Sequence, residues 1–147
     1  MKEVEAAARR FKVQLHPIGV QDPQKLEATF SAMTQERVQA LTVPPDGMFL
    51  AYQARIIALA AKHRIPTMYG VRELAEAGGL MAYGVNLPDM YRHGAFFVDR
   101  ILKGANPGTL PVEQPTKFEL IINLKTAKAL ALTIPQSVLG RADHIIE

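Results

Sequence analysis

Polar and aromatic side chains stand at or directly after the ends of three predicted strands. Asp46 follows the first of these strands, Tyr69 and Arg72 the second, and Tyr83 and Asn86 the third. Because the carboxyl ends of parallel strands meet at one edge of an open α/β sheet, where ligands bind, we expect these side chains to lie together. A carboxylate can bind an amine, a guanidinium can bind a carboxylate, and tyrosine rings can stack on an aromatic ligand. The pattern predicts a small-molecule binding site made of these residues.

Several of these residues also have an ordinary structural interpretation. Asp46 directly precedes a predicted helix, and aspartate is a favoured N-cap because its side-chain oxygen accepts a hydrogen bond from a backbone amide at the helix start. Tyr69 and Tyr83 stand at strand ends, where a tyrosine can be a buried packing residue. The residues alone leave both interpretations open.

Other kinds of chemistry lack their usual residues. The four histidines, His16, His63, His93 and His144, fall on different elements without metal-ligand spacing, so no metal site is predicted. The sequence contains no glycine-rich nucleotide motif, no phosphate loop, no nucleophile elbow and no cysteine. Glu73 and Glu76 stand three residues apart on a predicted helix, a spacing that a solvated helix face explains more simply than acid-base catalysis. We therefore predict neither an enzyme nor a bound cofactor.

Composition indicates one globular domain. The chain has 147 residues, of which 48% are hydrophobic and 21% charged. Its 17 basic and 14 acidic residues are scattered singly, whereas nucleic-acid binding needs a clustered basic surface, so no nucleic-acid partner is predicted. The first residues are charged and helical in pattern, so we expect that the chain as given carries no export signal.

Hydrophobic periodicity predicts alternating strands and helices. Strands are predicted at residues 12–18, 38–43, 65–69, 80–83 and 117–122. Helices are predicted at residues 2–11, 22–36, 48–63, 71–77, 87–103 and 123–130, before a looser tail at 135–147. This alternation predicts an α/β fold with a mainly parallel sheet flanked by helices. A doubly wound domain normally opens with a buried strand, so the helix at the start predicts that the opening strand is absent.

Five segments carry a recognisable family pattern: RIPTMYG at 64–70, EAGGLMAYG at 76–84, VDRILKG at 98–104, LPVEQPTKFEL at 110–120 and INLKTAKAL at 122–130. In these segments the chain closely resembles the substrate-binding proteins of ABC transporters in the tryptophan/tyrosine-type family. The resemblance implies the type I periplasmic binding protein fold, in which two α/β lobes clamp a ligand in the cleft between them. It further implies that this chain corresponds to the C-terminal portion of such a protein, without the first lobe.

The resemblance also implies an assignment of each segment to a lobe. Residues 1–79 and 112–122 would form the core of the second lobe, within a single α/β unit spanning 1–147. Residues 80–104 and 123–147 would be hinge-crossing or first-lobe-type elements. Asp46 matches the position where an acidic residue after a strand faces the cleft, and Tyr69, Arg72 and Tyr83 match cleft-facing segments.

The function implied is capture of a small solute, such as an amino acid or aromatic compound, for delivery to an ABC transporter permease in the periplasm or cell envelope. Such a protein needs no cofactor. The alternatives are a ligand-sensing regulatory domain or an enzyme on a similar α/β scaffold. Because part of the fold would be missing, we also expect two copies to exchange elements or pair sheet edges to cover apolar surface.

Overall fold

A five-stranded sheet forms the centre of the computed structural model, which describes residues 2–147. Its strands, which are neighbours in chain order, are β1 (Leu41–Val43), β2 (Thr67–Tyr69), β3 (Met81–Val85), β4 (Phe118–Asn123) and β5 (His144–Ile146). Strands β1, β2 and β3 are parallel, β4 runs antiparallel to β3, and β5 is parallel to β4. The predicted α/β class with a mainly parallel sheet is confirmed.

Eight α-helices lie between and around the strands of the described chain. They are α1 (Lys2–Phe11), α2 (Leu26–Gln35), α3 (Gly47–Ala51), α4 (Gln53–Lys62), α5 (Arg72–Glu76), α6 (Leu87–Leu102), α7 (Leu124–Ala129) and α8 (Gln136–Leu139). Short 3₁₀ turns at Pro23–Lys25 and Pro107–Thr109 precede α2 and follow α6. Asp22 and Asn123, the first residues of the helices predicted over 22–36 and 123–130, act as N-caps, since their side chains accept hydrogen bonds from the amides of Gln24 and Thr126.

The main core lies between one face of the sheet and helices α2, α4 and α5. Successive strand residues point to opposite faces, so Val43, Tyr69, Ala82 and Ile121 share this face. They pack with helix residues that are almost fully buried, namely Leu26, Phe30, Met33, Ile56, Leu59 and Leu74. The opposite face of the sheet is only partly covered, since Tyr83 and Ile145 remain 51% and 37% exposed there.

Three local predictions were wrong. Residues 12–18 form no strand, because no neighbouring strand supplies the backbone hydrogen bonds that a strand requires. The helix predicted over 48–63 is divided at Tyr52 into α3 and α4, where the backbone leaves helical geometry. The predicted loose tail contains α8 and the edge strand β5, which pairs with β4 although it is only three residues long.

Helix α1 and most of α6 contribute little to the core, although Leu87 at the start of α6 packs against it. The one-faced apolar stripe of α6 correctly predicts its extent, yet within the described chain none of its residues is buried. Tyr91 and Leu102 on α6 are 80% and 82% exposed, and α1 likewise contains no buried residue. Across residues 2–147, no helix has the length and apolar character needed to cross a bilayer.

Candidate functional site

The ends of β1, β2 and β3 meet the start of β4 at one edge of the sheet, which we call the rim. The loops there approach so closely that two glycines are required. A Cβ atom at Gly70 would lie 2.4 Å from Cδ of Pro45, and one at Gly84 would lie 1.9 Å from the carbonyl oxygen of Gly70. The loops after the three parallel strands are therefore packed directly against each other.

A charged and polar cluster occupies the rim. Glu119, at the start of β4, accepts a hydrogen bond at 3.0 Å from Nη1 of Arg72 and bonds at 3.1 and 3.2 Å from Nδ2 of Asn86. The Glu119 side chain is only 12% exposed, so these contacts compensate a carboxylate that is largely removed from water. The structure thus brings together two predicted site residues, Arg72 and Asn86, through a third residue that the sequence analysis missed.

Arg72 is held by two carboxylates. Besides Glu119, it contacts Glu76, whose Oε1 accepts hydrogen bonds at 3.0 Å from Nε and 2.7 Å from Nη2. The hydrogen bond to Glu76 and the negative charges of Glu76 and Glu119 raise the pKa of Arg72 above its usual value. The guanidinium is therefore charged and fixed in direction, and a ligand carboxylate would have to share it with these partners.

Asn86 connects the cluster to helix α6. Its side-chain oxygen accepts a hydrogen bond at 3.0 Å from the amide of Asp89, which makes Asn86 the N-cap of α6. Its amide group points to Glu119 at the same time. The direction in which α6 leaves the sheet is thus coupled to the Glu119 cluster.

An aromatic pair lies beside the cluster on the opposite face of the sheet. The rings of Tyr83 and Phe118 are stacked, with centroids 5.6 Å apart and planes inclined by 23°. They are 51% and 48% exposed. Tyr83 is therefore not a packing residue of the core, and the pair offers an open aromatic surface at the start of β4.

Asp46 and Tyr69 have the structural roles that the sequence analysis left open. Asp46 is the N-cap of α3, with Oδ1 accepting a hydrogen bond at 2.8 Å from the amide of Met48, while the residue remains exposed. Tyr69 is 1% exposed and packs in the core, where burial raises its pKa to about 12. The Tyr69 ring packs against Gly79, just before β3, rather than at the rim. Ligand contact by Asp46 stays a prediction.

The sequence held a signal for Glu119 that the analysis did not use. The β4 segment reads FELIIN, so Glu119 is the single charged residue of an apolar strand. Lysine, arginine, aspartate and glutamate are almost never buried unless they are paired, which marks such a position as one with a specific partner. Phe118 carried no comparable signal, because an aromatic residue is ordinary in a strand.

No metal centre is found in the described part of the chain. Within residues 2–147, no three histidine, aspartate or glutamate side chains lie close enough to hold an ion. The histidines instead have separate neighbours: His16 lies near Glu36, His63 near Thr34, and His93 near Glu113.

Replacing Glu119 with glutamine is expected to lower the free energy of unfolding by about 2 kcal/mol, since hydrogen bonds to charged groups contribute about 1.5–3 kcal/mol. Glutamine has the same shape but removes the charge facing Arg72. Urea denaturation followed by circular dichroism measures the effect.

The matched control is Glu113→Gln. Its side chain is 44% exposed and pairs with His93, so a change within about 0.5 kcal/mol is expected, as for most surface substitutions. Equal effects of the two substitutions would show that the Glu119 cluster contributes no more than a surface ion pair.

Comparison with known proteins adds a family match. Residues 1–146 match a protein-family model described as ABC transporter substrate binding protein. Over 95 residues the chain is 26% identical to the tyrosine-binding protein of Clostridioides difficile strain R20291, an alignment that covers 64% of this chain and 27% of that protein.

Two solved structures share the fold over nearly the whole chain. The ABC domain from Streptococcus pneumoniae, solved in complex with L-Trp, is 26% identical with a TM-score of 0.91, covering 99% of this chain and 49% of that one. A conserved domain protein from Vibrio cholerae is 22% identical with a TM-score of 0.90, covering 98% of this chain and 48% of that one, a likeness that shows the fold alone. The chain spans about a quarter of the curated relative and about half of each solved chain.

Proposed function

We propose that this chain, which belongs to the family of ABC transporter substrate binding proteins, acts as part of a solute-binding component that captures a small molecule for a membrane permease. The family match over residues 1–146 carries this proposal, and it confirms the resemblance found in the sequence segments. Family members are substrate-binding proteins rather than enzymes. We accordingly propose binding without catalysis, in the periplasm or cell envelope.

The ligand we propose is an aromatic amino acid. One relative is named a tyrosine-binding protein, and a similar structure was solved in complex with L-Trp. The rim of this chain carries chemistry that suits such a ligand, since the open pair of Tyr83 and Phe118 can stack on an aromatic ring. The polar groups of Asp46, Arg72 and Asn86 can bind the amine and the carboxylate of an amino acid. Arg72 and Asn86 also donate hydrogen bonds to Glu119, with which the ligand would compete.

In this proposal the rim forms one wall of an interlobe cleft. Residues 1–79 and 112–122 are assigned to the core of the second lobe, and residues 80–104 and 123–147 to hinge-crossing or first-lobe-type elements. The exposed apolar stripe of α6 supports this assignment, because a helix with such a stripe normally packs against a partner. Closure of two lobes on the ligand would be the signal to the permease.

We also propose that two copies of this chain associate. Large apolar side chains are exposed on α1, on the segment that follows it, and on α6, among them Phe11, Val13, Met90, Val98 and Leu102. Apolar surface of this extent favours association, because pairing removes it from water.

Isothermal titration calorimetry with L-Trp and L-Tyr tests the ligand proposal. For this chain alone, which offers one wall of a cleft, we expect a Kd of about 1 mM or weaker, since half of the contacts are missing. Joining it to the remaining half of a solved relative should tighten binding about 100-fold or more.

In that joined protein, Tyr83→Ala should weaken binding about tenfold, which corresponds to about 1.4 kcal/mol for loss of the aromatic contact. Tyr91→Ala is the matched control, because Tyr91 lies 80% exposed on α6. Undiminished binding by the Tyr83 variant, or chemical conversion of the amino acid, would contradict the proposal.

A further inference from the structure

Residues 14–21 form an extended segment without a backbone partner in the described chain. No backbone hydrogen bond joins these residues to any other part of 2–147, although they follow α1 directly. Leu15 and Ile18 in this segment are 38% and 43% exposed. An open groove of about 520 Å³ separates residues 15–18 from α2. The segment therefore has the extended backbone and apolar side chains of a strand, and lacks only a neighbour to pair with.

Strand β1 has a free edge that could supply that neighbour. It is the outermost strand of the sheet, with β2 on its other side. The amide of Leu41 donates to Pro66 and the carbonyl of Val43 accepts from Gly70, both at 2.9 Å, so Leu41 and Val43 direct their backbone groups towards β2. By alternation, the amide and carbonyl of Thr42 point away from the sheet, and Thr42 is exposed.

We infer that two copies of this chain pair by reciprocal strand addition, in which residues 14–18 of each copy add to the free edge of β1 in the other. The inference rests on the association proposed above and names its surface. Each chain carries both the unpaired extended segment and the unpaired strand edge. A twofold arrangement satisfies both sets of backbone groups twice, because every donor segment meets an acceptor edge of the same kind.

The segment has one usable edge. Alternate residues of an extended chain direct their backbone groups to opposite sides, and Pro17 has no amide hydrogen to donate. The side that contains Leu15 and Pro17 is thus interrupted. The side that contains Gln14, His16 and Ile18 keeps all its donors and acceptors, so this side pairs with β1.

The other free edge of the sheet, on β5, is less suitable. The three residues of β5 are flanked by the charged Asp143 and Glu147, and charges at a strand edge oppose its pairing. The free edge of β1 carries no flanking charge, and although Pro44 has no amide hydrogen, Ala40 and Thr42 keep their outward donors.

Proline substitutions test the inference, with size-exclusion chromatography and light scattering as the readout. The unaltered chain should elute at twice its 16.2 kDa mass. Thr42→Pro removes the free-edge donor of β1 without removing a hydrogen bond to β2, and Gln14→Pro removes a donor of the segment. Both variants should be monomeric.

The matched control is His144→Pro, which removes an outward-facing amide from the β5 edge and should leave the dimer intact. Far-UV circular dichroism checks that each variant is folded. Gln14 lies outside every helix and strand, so a proline there breaks no hydrogen bond within them. A monomeric Gln14→Pro protein would therefore not be explained by damage to the folded core.

A monomeric unaltered chain, or a dimer retained by both Thr42→Pro and Gln14→Pro, would overturn the strand addition. Neither result bears on solute capture, which calorimetry tests separately. Amide hydrogen exchange gives a second readout: at dimer concentrations the amides of Thr42 and His16 should exchange at least tenfold more slowly than in the Gln14→Pro variant, while that of Leu15 should not change.

Discussion

Replacing Gly84 with alanine should lower the free energy of unfolding by about 3 kcal/mol, a value at the upper end of the cost of overpacking a well-packed site. The added Cβ atom would lie 1.9 Å from the carbonyl oxygen of Gly70 and 2.8 Å from its carbonyl carbon. Both are backbone atoms and cannot rotate away as a side chain can. The end of β3 must therefore move away from β2, which would separate the loops that form the rim.

Gly94→Ala provides a control of opposite sign. Gly94 lies inside α6, and a Cβ atom there would meet nothing within 4 Å. Alanine should stabilise this position by about 0.5–1 kcal/mol, because glycine loses more backbone freedom in a helix. Urea denaturation measures both variants. An unaffected Gly84→Ala protein would mean that the two loops do not pack as closely as the structure shows.

Ionisation of Tyr69 should lower the free energy of unfolding by about 2 kcal/mol as the pH rises from about 10 to about 12. Burial raises the pKa of Tyr69 from 10.0 to about 12 in the folded chain. Below pH 10 the phenol is protonated in both states, and this contribution to stability is complete. Above that pH the unfolded chain releases the proton first, which favours unfolding until the folded pKa is also passed.

Tyr69→Phe should flatten this alkaline decline, because phenylalanine has no proton to release. The measured quantity is the slope of the free energy of unfolding against pH between 9 and 11.5. Loss of the hydroxyl's hydrogen bond lowers stability equally at every pH in this range and so does not change the slope. Tyr91→Phe is the control, because the Tyr91 ring is 80% exposed, and this variant should show the same slope as the unaltered chain. Identical slopes for Tyr69→Phe and the unaltered chain would show that Tyr69 is not buried as a neutral phenol.

Local patterns predicted the elements that depend on local interactions. The caps at Asp46 and Asn123 act within three residues, so each stands where the sequence pattern starts a predicted helix or directly precedes one. The period of α6 was equally clear, and its bounds agree closely with the prediction. Burial of α6 could not be predicted in the same way, because a stripe of apolar residues does not say whether a partner is present.

The prediction for residues 12–18 failed because a strand is not a local structure. Extended residues become a strand only when a neighbour supplies hydrogen bonds, and residues 14–21 have no such neighbour in the described chain. The opposite error occurred at β5. Three residues with little pattern of their own become a strand because β4 lies beside them.

The candidate site likewise combines features that the sequence determines with features that depend on tertiary contacts. The sequence by itself determined the α/β order, the family pattern and the three strand ends where polar residues would collect, because these follow from residue type and spacing along the chain. Only the tertiary structure decided that Tyr69 is buried, that Tyr83 stacks on Phe118, and that Glu119 joins Arg72 to Asn86. The physical reason is that β4 returns antiparallel beside β3 after more than 30 intervening residues, and contacts across such a distance in sequence are set by sheet pairing.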